Sequence, residues 1–180
     1  MNRIPLNLPN ILTMIRFALV PAAAVLIYFD KMVIALVVFL AACITDLLDG
    51  YIARKRGLIT EEGALLDPLA DKLMAIFSVI AFTVSGVLPL YILIVLLVKE
   101  LLMIGGGILL YFKDIVYPAN KFGKVAAFTL NTAIAFTFLH HCVAPWHIYF
   151  LCFALAFMLA ALGQYAYINI YKRFKEKKIA

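Results

Sequence analysis

Charged residues and cysteines are both scarce in this chain of 180 residues. Only 14% of its residues are Asp, Glu, Lys or Arg, whereas 66% are hydrophobic. The mean hydropathy of +1.04 leaves no stretch polar enough for a separate soluble domain. The three cysteines match no zinc-binding spacing and, being odd in number, give no disulfide framework. The composition therefore indicates an integral membrane protein, and we expect residues 1–180 to form a single membrane domain.

Six apolar runs are long enough to cross a bilayer as helices. They cover residues 11–29, 32–54, 63–84, 88–112, 122–141 and 146–171. The expected fold class is therefore all-α, with six transmembrane helices. The first ten residues are too few and too interrupted by proline for a span, so we expect a short N-terminal segment that lies along the membrane interface.

The basic residues predict which side of the membrane each loop faces. Under the six-span count, one side carries Arg3, Arg54, Lys55, Arg56, Lys113, Lys121, Lys124, Lys172, Arg173, Lys175, Lys177 and Lys178. Only Lys31 falls clearly on the other side. Because cytoplasmic loops are enriched in Lys and Arg, we predict a multi-pass protein of the cell membrane with both termini in the cytoplasm.

Four aspartates interrupt the apolar sequence within one short stretch. A carboxylate at the bilayer centre costs roughly 2.5–3.5 kcal/mol on insertion scales, which makes a functional role the expected explanation. On a helix, Asp46 and Asp49 are three positions apart and Asp67 and Asp71 are four apart, so each pair projects from one face. Two such faces turned toward each other would form an all-oxygen site for hard divalent cations. The topology places that site near the cytosol.

The aspartates belong to a longer pattern, Asp-x-x-Asp-Gly-x-x-Ala-Arg-x8-Gly-x-x-x-Asp-x-x-x-Asp, which is complete from Asp46 to Asp71. This pattern resembles the signature of the CDP-alcohol phosphotransferase family, and the resemblance extends over essentially the whole chain. The opening Pro9-Asn10-Ile-Leu-Thr13-Met-Ile-Arg16 is also similar to the family's lipid-synthesising bacterial members. The resemblance implies an enzyme of phospholipid biosynthesis that transfers a phosphatidyl group from CDP-diacylglycerol to an alcohol and releases CMP.

The resemblance also implies that the reaction depends on a metal. Asp46, Asp49 and Asp67 would hold Mg²⁺ or Mn²⁺, with two ions expected, and Asp71 would complete the cage. Such cations neutralise the negative charge that develops when a pyrophosphate is attacked. By the same resemblance, Asp71 is the catalytic base that takes the proton of the acceptor alcohol.

The resemblance assigns a further set of residues to the cytidine nucleotide. These are Asn10, Thr13, Asp46, Gly50, Ala53, Arg54 and Thr60. Gly50 and Ala53 are small, which would let the nucleotide approach the helix backbone closely. Structural alternatives stay open for some of them, because Gly50 also suits plain helix packing and Asn10 or Thr13 also suits a helix cap.

The acceptor alcohol is less constrained by the sequence. Family members that use glycerol 3-phosphate carry an Ala-Arg-Glu-Phe segment, a later Arg and a Gly-Lys-x-Lys-Thr segment. The corresponding stretches here are Val98-Lys99-Glu100-Leu101, Gly105-Gly106-Gly107 and Gly123-Lys124-Val125-Ala126-Ala127. We predict glycerol 3-phosphate as the acceptor, with Lys99 and Lys124 on its phosphate. The alternative is phosphatidylglycerol, as in cardiolipin synthesis. Lys is a point charge that cannot bind a phosphate in the bidentate way that Arg does, and two of the family's basic positions are lost here.

The expected partners are CDP-diacylglycerol, a small polar or lipid alcohol and the membrane lipids, with no nucleic acid. The three consecutive glycines at 105–107 would allow close helix approach, which favours a homodimer. A cation transporter is the alternative from another class, since membrane carboxylates also line ion pathways. A transporter needs polar groups along the whole path across the membrane. In the half of the predicted spans that lies away from the cytosol, however, almost no residue between Asp71 and the histidines at positions 140, 141 and 147 is ionisable.

Overall fold

The structure is a computed structural model that describes residues 8–56, 61–111 and 121–176. Every regular element in these ranges is a helix: α1 (Leu8–Tyr28), α2 (Met32–Arg56), α3 (Glu61–Val84), α4 (Leu90–Tyr111), α5 (Lys121–Thr137), α6 (His140–Val143) and α7 (Trp146–Glu176). The predicted all-α class is confirmed, and the six predicted runs match helices to within a few residues. The fifth run is interrupted, because α5 ends at Thr137 and the short helix α6 follows it, and α7 continues beyond the sixth run to Glu176.

Four of these helices are long and apolar enough to cross a membrane. The qualifying segments are Ile11–Tyr28, Met32–Asp49, Leu90–Gly107 and Trp146–Ile168. Less than a third of each segment is buried within the protein, so most of its apolar surface is left for lipid. Helix α5 has only 17 residues, and the last 18 residues of α3 include Asp67, Asp71 and Lys72. The chain thus has the helices of a membrane protein, while the six-span topology stays a prediction.

One compact unit comprises α1, α2, α3 and the residues Phe138–His140. Within it, α1 packs against both α2 and α3. Three buried aromatic rings form part of its core: the centroid of Phe138 lies 5.3 Å from that of Phe39 and 4.9 Å from that of Phe82. These separations are favourable for aromatic pairs. Because Phe39 precedes Asp46 by seven residues, this aromatic contact anchors α2 about 10 Å along the helix from the aspartates.

A tight turn connects α1 to α2. The N–H of Asp30 donates to the carbonyl of Ile27 and the N–H of Lys31 donates to that of Leu26, both at 2.9 Å. This pair of bonds is the Schellman arrangement, which needs a left-handed residue, and Asp30 has φ 56°. Aspartate tolerates that conformation better than most non-glycine residues. The turn makes α1 and α2 antiparallel neighbours, so the first half of α1 faces the last half of α2.

The second compact unit comprises α4, α5, α7 and residues 141–143 of α6. Helix α7 packs against α5 and, less extensively, against α4. Aromatic pairs join α5 to α7: the ring centroids of Phe122 and Phe157 are 4.8 Å apart, and those of Phe136 and Phe150 are 5.8 Å apart. The start of α5 therefore lies against the middle of α7, and the end of α5 lies against the beginning of α7.

Candidate active site

The two aspartates at the end of α2 form the centre of the site. Asp46 and Asp49 are three positions apart and project from one helix face, as their spacing predicts. The side chain of Asp49 is 1% exposed, whereas that of Asp46 is 35% exposed. One carboxylate is therefore enclosed by protein, and the other forms the open edge of the pair.

A single arginine on α1 contacts both carboxylates. Arg16 is fully buried, its Nη1 lies 2.7 Å from Asp46 Oδ1, and its Nη2 donates a hydrogen bond to Asp49 Oδ2. The contact with Asp46 is a charge contact, because among the described residues neither Nη1 nor Nε makes a hydrogen bond of good geometry. The antiparallel packing of α1 on α2 thus places one cation between two anions.

Thr13 lies one helical turn before Arg16 and faces the same aspartate. It is buried, and its hydroxyl donates to Asp49 Oδ2 at 3.4 Å, which is long for a hydrogen bond. The predicted contact of Thr13 with a nucleotide therefore begins from a side chain that already faces Asp49. Its role in nucleotide binding stays a prediction.

Asp71 extends the acidic cluster from α3. The side chains of Asp46, Asp71 and Arg16 all lie close enough to Cys43 to interact electrostatically with its thiol, so α3 brings Asp71 to the same part of the first unit as Asp46. Asp71 is half-buried. The role of Asp71 as catalytic base stays a prediction.

The predicted metal-binding set is described only in part. Among the side chains that the structure describes, no three His, Cys, Asp or Glu groups converge at metal-binding separation. The side chain of Asp67 lies outside the described part. The cage of Asp46, Asp49, Asp67 and Asp71 therefore stays a prediction. The carboxylates of Asp46 and Asp49 do already share one cation, the Arg16 guanidinium, so their oxygens suit a positively charged ligand.

Several residues predicted to bind the nucleotide fall outside the description. Thr60 lies outside the described residues. The backbone of Asn10, Gly50, Ala53 and Arg54 belongs to α1 and α2, but the side chains of Asn10, Ala53 and Arg54 and the surroundings of Gly50 lie outside the described part. Of the predicted nucleotide set, the structure therefore brings together only Thr13 and Asp46, both of them beside Asp49.

The two lysines predicted to bind the acceptor have different environments in the second unit. Lys99 on α4 is 2% exposed, and its ammonium group is paired with the carboxylate of Glu100, which is also buried. Lys124 is exposed on α5. Only Lys124 therefore presents its charge at the surface, and an acceptor phosphate at Lys99 would meet a lysine that already has an anionic partner.

Arg16 and Glu100 are the two buried charged residues, among those that the structure describes, for which the sequence suggested no role. Arg16 stands inside the apolar run of α1, and a charge in such a run nearly always has a partner. Glu100 directly follows the predicted ligand Lys99. The intramembrane position of each was the available signal.

The three glycines at 105–107, for which the sequence predicts close helix approach, have open space beside them. A methyl group built on any of them would meet no described atom within 4 Å.

The sequence matches known proteins over most of its length. A sequence model for the family described as CDP-alcohol phosphatidyltransferase matches residues 6–163. A probable phosphatidylglycerophosphate synthase of Mycobacterium tuberculosis is 36% identical over 137 residues, which are 71% of this chain and 64% of the relative. The chain thus spans a little under two thirds of the length of that relative.

Two further relatives differ in their named activity. A putative cardiolipin synthase of Mycobacterium bovis is 32% identical over 171 residues, covering 93% of this chain and 79% of the relative. A CDP-diacylglycerol–glycerol-3-phosphate 3-phosphatidyltransferase of Bacillus subtilis is 31% identical over 150 residues, covering 75% of this chain and 78% of the relative. The first name refers to the synthesis of cardiolipin, and the second refers to phosphatidyl transfer between CDP-diacylglycerol and glycerol 3-phosphate.

Proposed function

This chain belongs to the CDP-alcohol phosphatidyltransferase family, and from that premise we propose that it transfers a phosphatidyl group from CDP-diacylglycerol to an alcohol, with release of CMP. One observation carries the proposal beyond family membership: Asp46 and Asp49 project side by side around a cation at the end of an apolar helix. Two neighbouring carboxylates that face one cation are also the ligands that hard divalent cations prefer, which supports a metal-binding role.

The proposed cofactor is Mg²⁺ or Mn²⁺, as two ions. Asp46, Asp49 and Asp67 would hold them, with Asp71 at the edge of the set. Carboxylate oxygens are the ligands that both cations prefer. When bound, the cations would neutralise the charge that develops on the pyrophosphate of the donor.

The protein's own residues would bind the donor and move the proton. Asp71 takes the proton of the acceptor hydroxyl while the hydroxyl oxygen of the acceptor forms a bond to the phosphorus of the phosphatidyl group. The bond from that phosphorus to the bridging oxygen of the pyrophosphate breaks, and CMP leaves with the bridging oxygen. The residues proposed to hold the nucleotide are Asn10, Thr13, Asp46, Gly50, Ala53, Arg54 and Thr60.

We propose glycerol 3-phosphate as the acceptor, which would make the product phosphatidylglycerophosphate. The named activities of the relatives from Mycobacterium tuberculosis and Bacillus subtilis support this choice. Lys124 is exposed and cationic, so it is the better placed of the two predicted phosphate ligands. Lys99 is less well placed, because the Glu100 carboxylate paired with it would lie beside the phosphate.

A second acceptor, phosphatidylglycerol, is favoured by a specific observation. The Lys99 and Glu100 charges neutralise each other within the second unit, which removes one of the two cations that would recognise a phosphomonoester. A lipid acceptor needs less charge recognition. The relative named as a putative cardiolipin synthase also matches 93% of this chain.

The proposed setting is the cell membrane, with six spans, cytoplasmic termini and a cytosolic active site. Under the six-span count, most Lys and Arg residues outside the spans lie on one side of the membrane, which supports this orientation. A homodimer is proposed as well. The glycines at 105–107 leave open space on α4, and small residues are typical of surfaces where membrane helices meet.

The test is an assay of purified protein in phosphatidylcholine nanodiscs with CDP-diacylglycerol and Mg²⁺ or Mn²⁺. Separate reactions receive glycerol 3-phosphate, phosphatidylglycerol or no acceptor, and CMP and the lipid products are measured. CMP together with phosphatidylglycerophosphate is expected in the first reaction only. Cardiolipin in the second reaction alone would replace the preferred acceptor. A properly folded protein that releases no CMP with any acceptor would refute the transferase proposal and favour the transporter alternative.

A further inference from the structure

Arg16 contacts two of the carboxylates that the proposed function assigns to a metal. Its guanidinium is fully buried, lies 2.7 Å from Asp46 and donates to the enclosed carboxylate of Asp49. Thr13 donates to the same Asp49 oxygen. In this arrangement, Asp49 Oδ2 is already occupied by protein donors, and the two carboxylates share one cation.

A divalent ion and the guanidinium compete for these two carboxylates. A carboxylate has two oxygens with several acceptor sites, so Asp49 can accept the hydrogen bond from Nη2 and still offer a ligand atom to a metal. The metal and the guanidinium would then lie close together and repel each other, and the burial of Asp49 weakens the solvent screening of that repulsion. Release of the guanidinium removes the repulsion, so binding of a metal to both aspartates favours its departure.

We propose that Arg16 is an internal counter-cation, which holds Asp46 and Asp49 together before a divalent metal binds and is released from them when it does. The inference rests on the proposed metal site and adds a competitor to it. The unequal exposure of the two aspartates supports an ordered exchange. Asp46, at 35% exposure, meets the incoming ion first, and Asp49 becomes available once Nη2 withdraws.

The exchange has a measurable consequence for metal affinity. When only a fraction of the molecules is competent to bind, the apparent dissociation constant rises in inverse proportion to that fraction. A bridge closed in roughly 90–99% of molecules would weaken metal binding about ten- to a hundredfold. Removal of the arginine should therefore tighten metal binding, although it also removes a buried ion pair. A purely structural arginine would have the opposite effect, because damage to the fold weakens binding.

The experiment measures Mn²⁺ binding by electron paramagnetic resonance, in which free Mn²⁺ gives a sharp signal that is lost on binding. The proteins are the parent chain, Arg16→Gln, Arg16→Lys and the control Lys31→Gln, all in phosphatidylcholine nanodiscs without substrate. Lys31 is exposed at the turn between α1 and α2, so its replacement removes one positive charge away from the aspartates. We expect Arg16→Gln to bind Mn²⁺ about ten- to a hundredfold more tightly than the parent, and Lys31→Gln to equal the parent.

Arg16→Lys separates release from simple repulsion. Lysine keeps the charge but cannot bridge two carboxylates as a planar fork does, so we expect an affinity between those of the parent and Arg16→Gln. A Lys variant that binds like the parent would show that repulsion alone acts, and would overturn the release. This variant keeps a cation in the site, which makes it the informative protein if Arg16→Gln does not fold.

Failure of the inference differs from failure of the proposed function. Parent protein that binds no Mn²⁺, with both Arg16 variants equally inert, would refute the metal site itself. Parent protein that binds Mn²⁺, with both variants equal or weaker, would leave the metal site intact and refute the role of Arg16. Thermal unfolding gives a second readout: Mn²⁺ should raise the melting temperature more in Arg16→Gln than in the parent, because only the variant lacks an internal cation.

Discussion

The ion pair between Arg16 and Asp49 should contribute measurably to stability in the absence of metal. Asp49→Asn keeps the size of the side chain and its hydrogen-bond acceptor but removes the charge that the buried guanidinium contacts. Removing one partner of a buried pair typically costs about 3–5 kcal/mol. Because Asp46 keeps its contact with Nη1, we expect a loss near the lower limit, about 3 kcal/mol.

The double variant isolates the pair. Arg16→Gln alone leaves two neighbouring carboxylates without the cation, and we expect a loss of about 3–5 kcal/mol. In the double variant only Asp46 keeps its charge, and it is partly exposed. We expect the double variant to lose about 3 kcal/mol rather than the sum of the single losses, about 6–8 kcal/mol, which is a coupling of about 3–5 kcal/mol.

The assay is reversible unfolding in mixed micelles with a rising fraction of sodium dodecyl sulfate, followed by far-ultraviolet circular dichroism in the presence of EDTA. Lys31→Gln is the matched control and should change the free energy of unfolding by less than about 0.5 kcal/mol. Single losses that add to within about 0.5 kcal/mol in the double variant would show that Arg16 and Asp49 do not interact, and would refute the geometry of the site.

Three further predictions concern single side chains. Asp71→Asn should lower the turnover number about 10²–10⁴-fold while CDP-diacylglycerol affinity, measured by equilibrium binding, is kept; lost affinity with normal turnover would exclude a base. Lys124→Ala should raise the KM for glycerol 3-phosphate by one to two orders of magnitude, or about 1.5–3 kcal/mol, and an unchanged KM in steady-state assays would remove Lys124 from the acceptor site. Glu100→Gln should destabilise the protein by about 3–5 kcal/mol in the same micelle assay, with Lys99→Gln in addition recovering part of the loss; no recovery would argue against the buried pair.

The helices were predictable because their signal is local. Apolar runs of about twenty residues satisfy their own backbone hydrogen bonds, so length and composition suffice to place them. The break after Thr137 escaped prediction. Phe138 and Leu139 continue the apolar composition, and nothing in the sequence marks that Phe138 turns to pack on Phe39 and Phe82.

The candidate site was predictable in its acidic half. The spacing of the aspartates fixes which of them share a helix face, since side-chain direction follows the helical repeat. It does not fix what lies opposite. Arg16 is 30 residues before Asp46 in the chain, and only the packing of α1 on α2 brings them together. The surroundings of Lys99 could not be predicted for the same reason, since its burial beside Glu100 depends on packing within the second unit.

By itself, the sequence determined that this is a membrane protein, where its helices lie and which chemical class its site belongs to. It could do so because hydropathy, helical period and motif spacing are properties of residues close together in the chain. The tertiary structure decided how the charges are paired. An ion pair in a membrane depends on which helix face meets which, and that choice is made by the combined packing of α1, α2 and α3. For that reason the four aspartates could be identified from the chain alone, whereas the arginine that holds two of them could not.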